Sequence, residues 1–219
     1  MKFKERLLQG TLVKRYKRFF VDIKYKNKNI TAHCPNTGSM HGLLEEGNKV
    51  FFSKSDDPSR KLKYTLEIIV IKNKFFLINT QLTNKIVLES LKQKKIKNLV
   101  KYKKIKSEVK FNQNTRFDFL ISNKEEKCFI EVKNVTLKRH EKIAEFPDAP
   151  TLRGVKHLQE LCVAKKMGFK SYILYLIQRN DCESFKIADD IDKKYNSAFK
   201  EALNAGVKVL CYDCKISDE

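Results

Sequence analysis

Two textures divide the pattern of apolar and polar positions along the chain. From residue 11 to about 80, short runs of alternating character, TLVKRYKRFFVDIKY, ITAHC, VFFSKS, YTLEIIVIK and KFFLINT, are separated by turn-forming residues at 27–29, 35–38, 47–48, 56–59 and 73. A period of two marks strands, and clusters of Asn, Gly, Pro and Asp mark the turns between them. Some five strands in so short a stretch predict a small closed or partly open barrel of the OB type. From about residue 81 the period changes. LTNKIVLESLKQKKIKNL reads as a basic amphipathic helix, and FDFLI and CFIEVK, joined by the polar SNKEEK, read as a hairpin. In TLRGVKHLQELCVAKKMG, Leu152, Val155, Leu158 and Leu161 or Cys162 follow helical spacing, and Gly168 can end the helix. SYILYLI is a continuous apolar run, as in a strand covered on both faces. Asp189 or Asp190 can cap a helix through Ala205 that Gly206 closes, and VKVLCY is a last strand. The expected fold is α/β in its second part and α+β overall: an OB-like β-barrel over residues 1–80, then an α/β domain over 81–219. No repeat or low-complexity linker separates the two parts, so they are expected to pack together.

Composition narrows the function. A hydrophobic content of 42% supplies real cores and excludes a disordered chain. No stretch approaches the roughly 18 apolar residues of a membrane span, and MKFKERLLQG has no secretory apolar core, so a cytoplasmic protein with no membrane partner is expected. The six cysteines (34, 128, 162, 182, 211 and 214) sit mostly in apolar runs, as free thiols do in a reducing compartment. Cys211 and Cys214 form a lone CxxC without a second pair, which reads as idle thiols rather than a zinc site. The net charge of +20 calls for an anionic partner. Residues 1–110 hold 27 Lys+Arg against 9 Asp+Glu, or +18, leaving 19 against 17, or +2, for the rest. The charge pattern points to DNA, with RNA as the alternative since barrels of this type accept either.

The candidate chemistry centres on FIEVKNVTL, residues 129–137. On a strand, Glu131 and Lys133 share one face while Cys128, Ile130 and Val132 take the other. Asp118, which alternates with Phe117 and Phe119, joins Glu131 and Lys133 if the hairpin register aligns the polar faces, and Glu108 offers a third carboxylate. Carboxylates gathered in one pocket repel unless a hard cation such as Mg²⁺ or Mn²⁺ joins them, an arrangement suited to phosphodiester chemistry. The plainer alternative is a set of sheet-surface ion pairs, Asp118 with Arg116 or Lys133 and Glu131 with Lys133.

HCPNTGSM (33–40), KSEVKF (106–111), RFDFLI (116–121), CFIEVKNVTL (128–137), FPDAP with TLRGVKHLQEL (146–161) and IDKKY (191–195) resemble, in order, the signature blocks of the sugar fermentation stimulation protein A family. The resemblance implies an OB-like domain, a domain like the PD-(D/E)xK nucleases, and DNA binding. Carried over residue by residue, it makes Asp118 and Glu131 metal ligands, Lys133 the catalytic lysine and Glu108 a helix-borne acid that is also a ligand. The chain departs from the nuclease pattern in placing Phe117, not proline, before Asp118; Pro147-Asp148 follows the acid-x-lysine strand and reads as a turn into the helix.

Further DNA contacts are expected from three regions. Arg153, Lys156, His157 and Glu160 share a helical face that either looks across the site or is solvated, with Lys156 and Glu160 paired. Asn36, Thr37 and Gly38 shape a loop able to bond phosphates or to lock the barrel to the second domain. Arg15 and Arg18 interleave with aromatics on a barrel strand, where the cations are expected to follow the backbone and Tyr16 and Phe20 to serve the core.

Overall fold

The computed structural model describes residues 1–217. Strands β1 (Leu8–Tyr16), β2 (Phe20–Tyr25), β3 (Lys28–His33), β4 (Lys49–Lys54) and β5 (Tyr64–Ile71) form the barrel. β1 pairs with both β2 and β4, β5 pairs with β4, and a short parallel pairing of β3 with β5 (Ala32 with Tyr64, His33 with Thr65) closes the ring. Every inward position of the alternating runs is apolar: Leu12, Val21, Ile23, Val50, Phe52, Leu66 and Ile69 are fully enclosed, each stabilising by about 1.5–3 kcal/mol relative to exposure. Tyr16 and Phe20 are not among them. They stack on each other, half-buried on the outside of the barrel, with ring centroids 5.5 Å apart. The inward set of β1 and β2 is Leu12, Val21 and Ile23, and the turn residues Lys17 and Arg18, both at positive φ, end the alternation before Phe20.

β6 (Lys74–Leu77) extends the sheet from β5 and leads into α1 (Thr83–Lys92). The basic helix expected through residue 99 is shorter: α1 ends at Lys92, and only a single 3-10 turn follows at Lys97–Leu99. The second domain is built on β7 (Lys104–Lys110), β8 (Arg116–Ser122) and β9 (Lys127–Val135), the expected hairpin, then β10 (Leu137–His140), β11 (Ile143–Phe146), α2 (Leu152–Lys166), β12 (Lys170–Ile177), β13 (Ser184–Ile187), α3 (Lys193–Asn204) and β14 (Lys208–Asp213). Its main sheet has the order β14-β12-β9-β8-β7, with β9, β12 and β14 parallel and β7 at one edge. α1 covers one face through Val87 and Leu91, while α2 and α3 cover the other through Leu158, Leu161, Tyr195 and Ala198. The small sheet β10-β11-β13 was not expected; its strands have four residues each, too short to show a period.

Helix ends follow the sequence with one correction. Thr151 caps α2, accepting from Gly154 N–H at 3.0 Å, whereas Asp192, not Asp189 or Asp190, caps α3, accepting from Tyr195 N–H at 2.9 Å. A Cβ on Gly154 would lie 2.9 Å from Tyr195, so glycine permits the close approach of α2 to α3. The two domains are joined by a bond from Leu77 N–H to Gln178 O (3.1 Å) and by Arg179 over the Phe76 ring at 4.7 Å, while Gln178 Nε2 donates to Thr83 Oγ1 (2.9 Å) at the start of α1. All six cysteines are free thiols, and among the described residues no helix is long and apolar enough to cross a membrane.

Candidate active-site groove

A groove of about 560 Å³ lies where the barrel meets the second domain. Asn36, Thr37 and Gly38 form one wall, the start of α1 another, and Asp118, Glu131, Lys133 and Asn134 the floor, with Asp148 to Arg153 opposite the barrel loop. The register Phe119 with Ile130 brings Asp118 opposite Glu131. The alternation does not run unbroken there. Phe117 packs toward α2 and Phe119 toward α1, so β8 changes face across Asp118, while β7 does the same between Ile105 and Val109, with Glu108 at φ 54°. This switch turns the Asp118 carboxylate toward the neighbouring strand β9. Its Oδ2 accepts from Val132 N–H at 2.7 Å and its Oδ1 from Asn84 Nδ2 at 2.7 Å. Burial, and next the charge of Glu131, push the Asp118 carboxyl up to about 6.

Glu131 is 3% exposed. Burial raises its carboxyl, but a bond from His157 and the Lys133 ammonium outweigh it and hold the group below its ordinary value. Oε1 accepts from Lys133 Nζ at 2.7 Å and also meets His157 Nδ1. Oε2 is buried with no hydrogen-bond partner, as is Oδ1 of Asn134 beside it in the groove. A buried carboxylate oxygen left bare costs free energy unless a cation or donor meets it there.

The expected set of residues is only partly gathered. Glu108 is neither on a helix nor in the groove: SEVKF alternates as a strand, and Glu108 lies exposed on edge strand β7, paired with Arg116 at 2.8 Å. Arg116 is thereby drawn away from Asp118. Among the described residues, no three His, Cys, Asp or Glu side chains come together in a metal-holding cluster, so two carboxylates remain where three were expected. Glu145 also lines the groove, but Arg139 binds both its oxygens at 2.9 Å, which commits it to the β10–β11 pairing.

Among the expected DNA contacts, Thr37 and Arg153 are exposed and line the groove. Asn36 is buried, its Oδ1 accepting from Gly38 N–H at 2.9 Å. Arg15 directs its guanidinium at backbone carbonyls, Asn36 O at 2.6 Å, Gly38 O at 3.0 Å and Arg18 O at 3.0 Å, and so braces the loop from behind. Arg18 is exposed on the β1–β2 turn. Lys156 donates to Asn114 O at 2.8 Å, while Glu160 accepts from Asn112, so the two do not pair. His157 does not share their outer face. It lies three residues after Gly154 and four before Leu161, both buried, and turns inward onto Glu131. Two residues escaped the sequence reading. Asn84 resembles any polar residue at a helix start, and Asp148, expected only as a turn, accepts from Ser39 N–H at 3.0 Å and joins the barrel loop to the second domain.

Comparison with known proteins agrees with this architecture. The chain matches the family models "SfsA N-terminal OB domain" over residues 13–78 and "Sugar fermentation stimulation protein RE domain" over residues 81–219. It is 53% identical to the sugar fermentation stimulation protein homolog of Pelagibacter ubique over 219 residues, covering 100% of this chain and 94% of that one. With the homolog of Pseudoalteromonas atlantica the identity is 44% over 223 residues, covering 100% and 95%. The structure of Pyrococcus furiosus SfsA in complex with Ca²⁺ is similar with a TM-score of 0.87 at 25% identity, over 97% of this chain and 90% of that one.

Proposed function

The chain belongs to the sugar fermentation stimulation protein family, and we propose that it binds DNA and cleaves a phosphodiester in the groove with a bound Mg²⁺ or Mn²⁺. The observation that carries this reading is the bare, buried Oε2 of Glu131, beside Asp118 in a groove that also holds the Lys133 ammonium. The residues fit a hard cation: Mg²⁺ is commonly held by one or two carboxylates, with waters and phosphate oxygens filling the other positions. The Pyrococcus furiosus relative was solved with Ca²⁺, another cation that selects oxygen ligands. Bound there, the ion would supply a Lewis acid for the phosphate and a lowered pKa for a water. Asp118 and Glu131 would hold it. Lys133, two residues from Glu131 on the same face, would orient the attacking water or steady the developing negative charge. Arg153 and Thr37, exposed on the groove walls, would position the phosphate chain. As a test, Mn²⁺ titrated into EDTA-stripped protein and followed by electron paramagnetic resonance should fill one site that Asp118→Ala loses; no uptake by the wild type would overturn the cation reading.

DNA affinity is assigned to the lysines. Lys104, Lys106 and Lys110 are exposed on the edge strand β7, which reaches the groove through the chain of contacts Glu108, Asn84, Asp118. Edge strands often carry lysine simply to block pairing with another sheet, so the salt dependence decides. The triple variant Lys104→Gln/Lys106→Gln/Lys110→Gln should flatten the slope of log affinity against log salt by about 2 to 3. An unchanged slope would place the contacts elsewhere. Matched DNA and RNA competitors in the same assay decide between the two nucleic acids.

A further inference from the structure

The side chain that controls Glu131 comes from α2, not from the strands that carry the site. His157 is 5% exposed and belongs to the buried stripe of α2 with Gly154, Leu158, Leu161 and Ala164. An ionised carboxylate can only accept, so His157 Nδ1, which meets Glu131 Oε1, carries its proton toward that oxygen. Lys133 Nζ lies 3.5 Å from the same nitrogen. As both groups are donors, they are neighbours converging on one acceptor rather than partners. The carboxylate is therefore divided: Oε1 meets two protein donors, while Oε2 of this groove-lining side chain is buried with none.

We propose that His157 is a positioning residue that fixes Oε1 of Glu131, so that Oε2 is the oxygen presented to the cation and Lys133 is free to turn from the carboxylate toward the reacting phosphate. This rests on the cation reading of the groove. With His157 holding Oε1, the carboxylate keeps one donor when Lys133 departs, and its plane stays set by a side chain locked in the α2 packing. Partners of this kind orient ligands, and their loss typically weakens cation affinity by 10–100-fold.

The test uses the full chain, stripped with EDTA and titrated with Mn²⁺, with thermal unfolding as the control for folding. His157→Leu fills the space without a donor and should weaken Mn²⁺ binding by about 10–100-fold. His157→Asn places an amide donor near the position of Nδ1 and should recover most of the affinity. Wild-type affinity in a folded His157→Leu protein would overturn the role, as would equal weakening in a folded His157→Asn protein. If the wild type binds Mn²⁺ normally while these variants do not behave as stated, only the histidine assignment falls; if the wild type binds none, the cation reading falls with it.

Discussion

Arg179→Ala is expected to cost roughly 3–5 kcal/mol of stability, the largest loss from any single truncation at the domain junction. Arg179 is 5% exposed. Its Nε and Nη2 reach the two oxygens of Asp181 at 2.6 and 3.0 Å, its Nη1 reaches Thr136 O at 2.5 Å, and its plane covers the Phe76 ring of the barrel. Truncation leaves a half-buried carboxylate with Lys138 and the weak thiol donor of Cys182, and removes a contact between the domains. The loss should depend on pH in a defined direction. Burial raises the Asp181 carboxyl, but the bonds from Arg179 and Lys138 outweigh it and hold the group well below its ordinary value. A depressed carboxyl stabilises the fold fully above its unfolded pKa of about 4 and progressively less below it. Unfolding midpoints measured from pH 7 down to pH 3 should therefore show the wild type and Arg179→Ala far apart at neutrality and converging below about pH 4. A constant gap would mean that the cation over Phe76, not the ion pair, carries the effect.

Lys133→Met should reduce DNA cleavage by about 10²–10³-fold or more while leaving Mn²⁺ uptake in place, since the lysine acts on the reacting groups and not on the ion. The substitution keeps the length of the side chain and removes its charge. Glu131 keeps His157 as a donor, so the carboxylate stays ordered. Loss of cation binding together with cleavage would show that Lys133 is structural, holding Glu131 through the 2.7 Å bond.

Elements with a clear period were legible in the sequence, and so was the heart of the groove. The barrel strands, the β8–β9 hairpin, the doubly buried β12 and the shared face of Glu131 and Lys133 all follow from alternation and turn chemistry. What failed did so for local reasons. Leu152 fits the three-residue spacing of the apolar positions of α2 but is 76% exposed, because steps of three fall short of a full turn and drift, which leaves it on the opposite side of the helix from the buried Leu161. His157 lies within the buried stripe, three residues after Gly154 and four before Leu161, but it is also three or four residues from Arg153 and Glu160, and that spacing groups it with the polar face. The resemblance implies a helix for Glu108, although Val109 and Phe111, half-buried on either side of the exposed Lys110, alternate as a strand. The change of face at Asp118 has no signature at all in sequence, since every residue from 117 to 121 fits an unbroken strand.

Supercoiled plasmid and single-stranded circular DNA, incubated with the purified protein in Mg²⁺, Mn²⁺ or EDTA beside an Asp118→Ala/Glu131→Ala control, test the central claim most directly. Nicking that needs the divalent ion and disappears in the double variant is the predicted result. DNA retarded on a gel in EDTA but cut under none of these conditions would contradict it, leaving a DNA-binding module whose buried carboxylates form an ion-pair cluster.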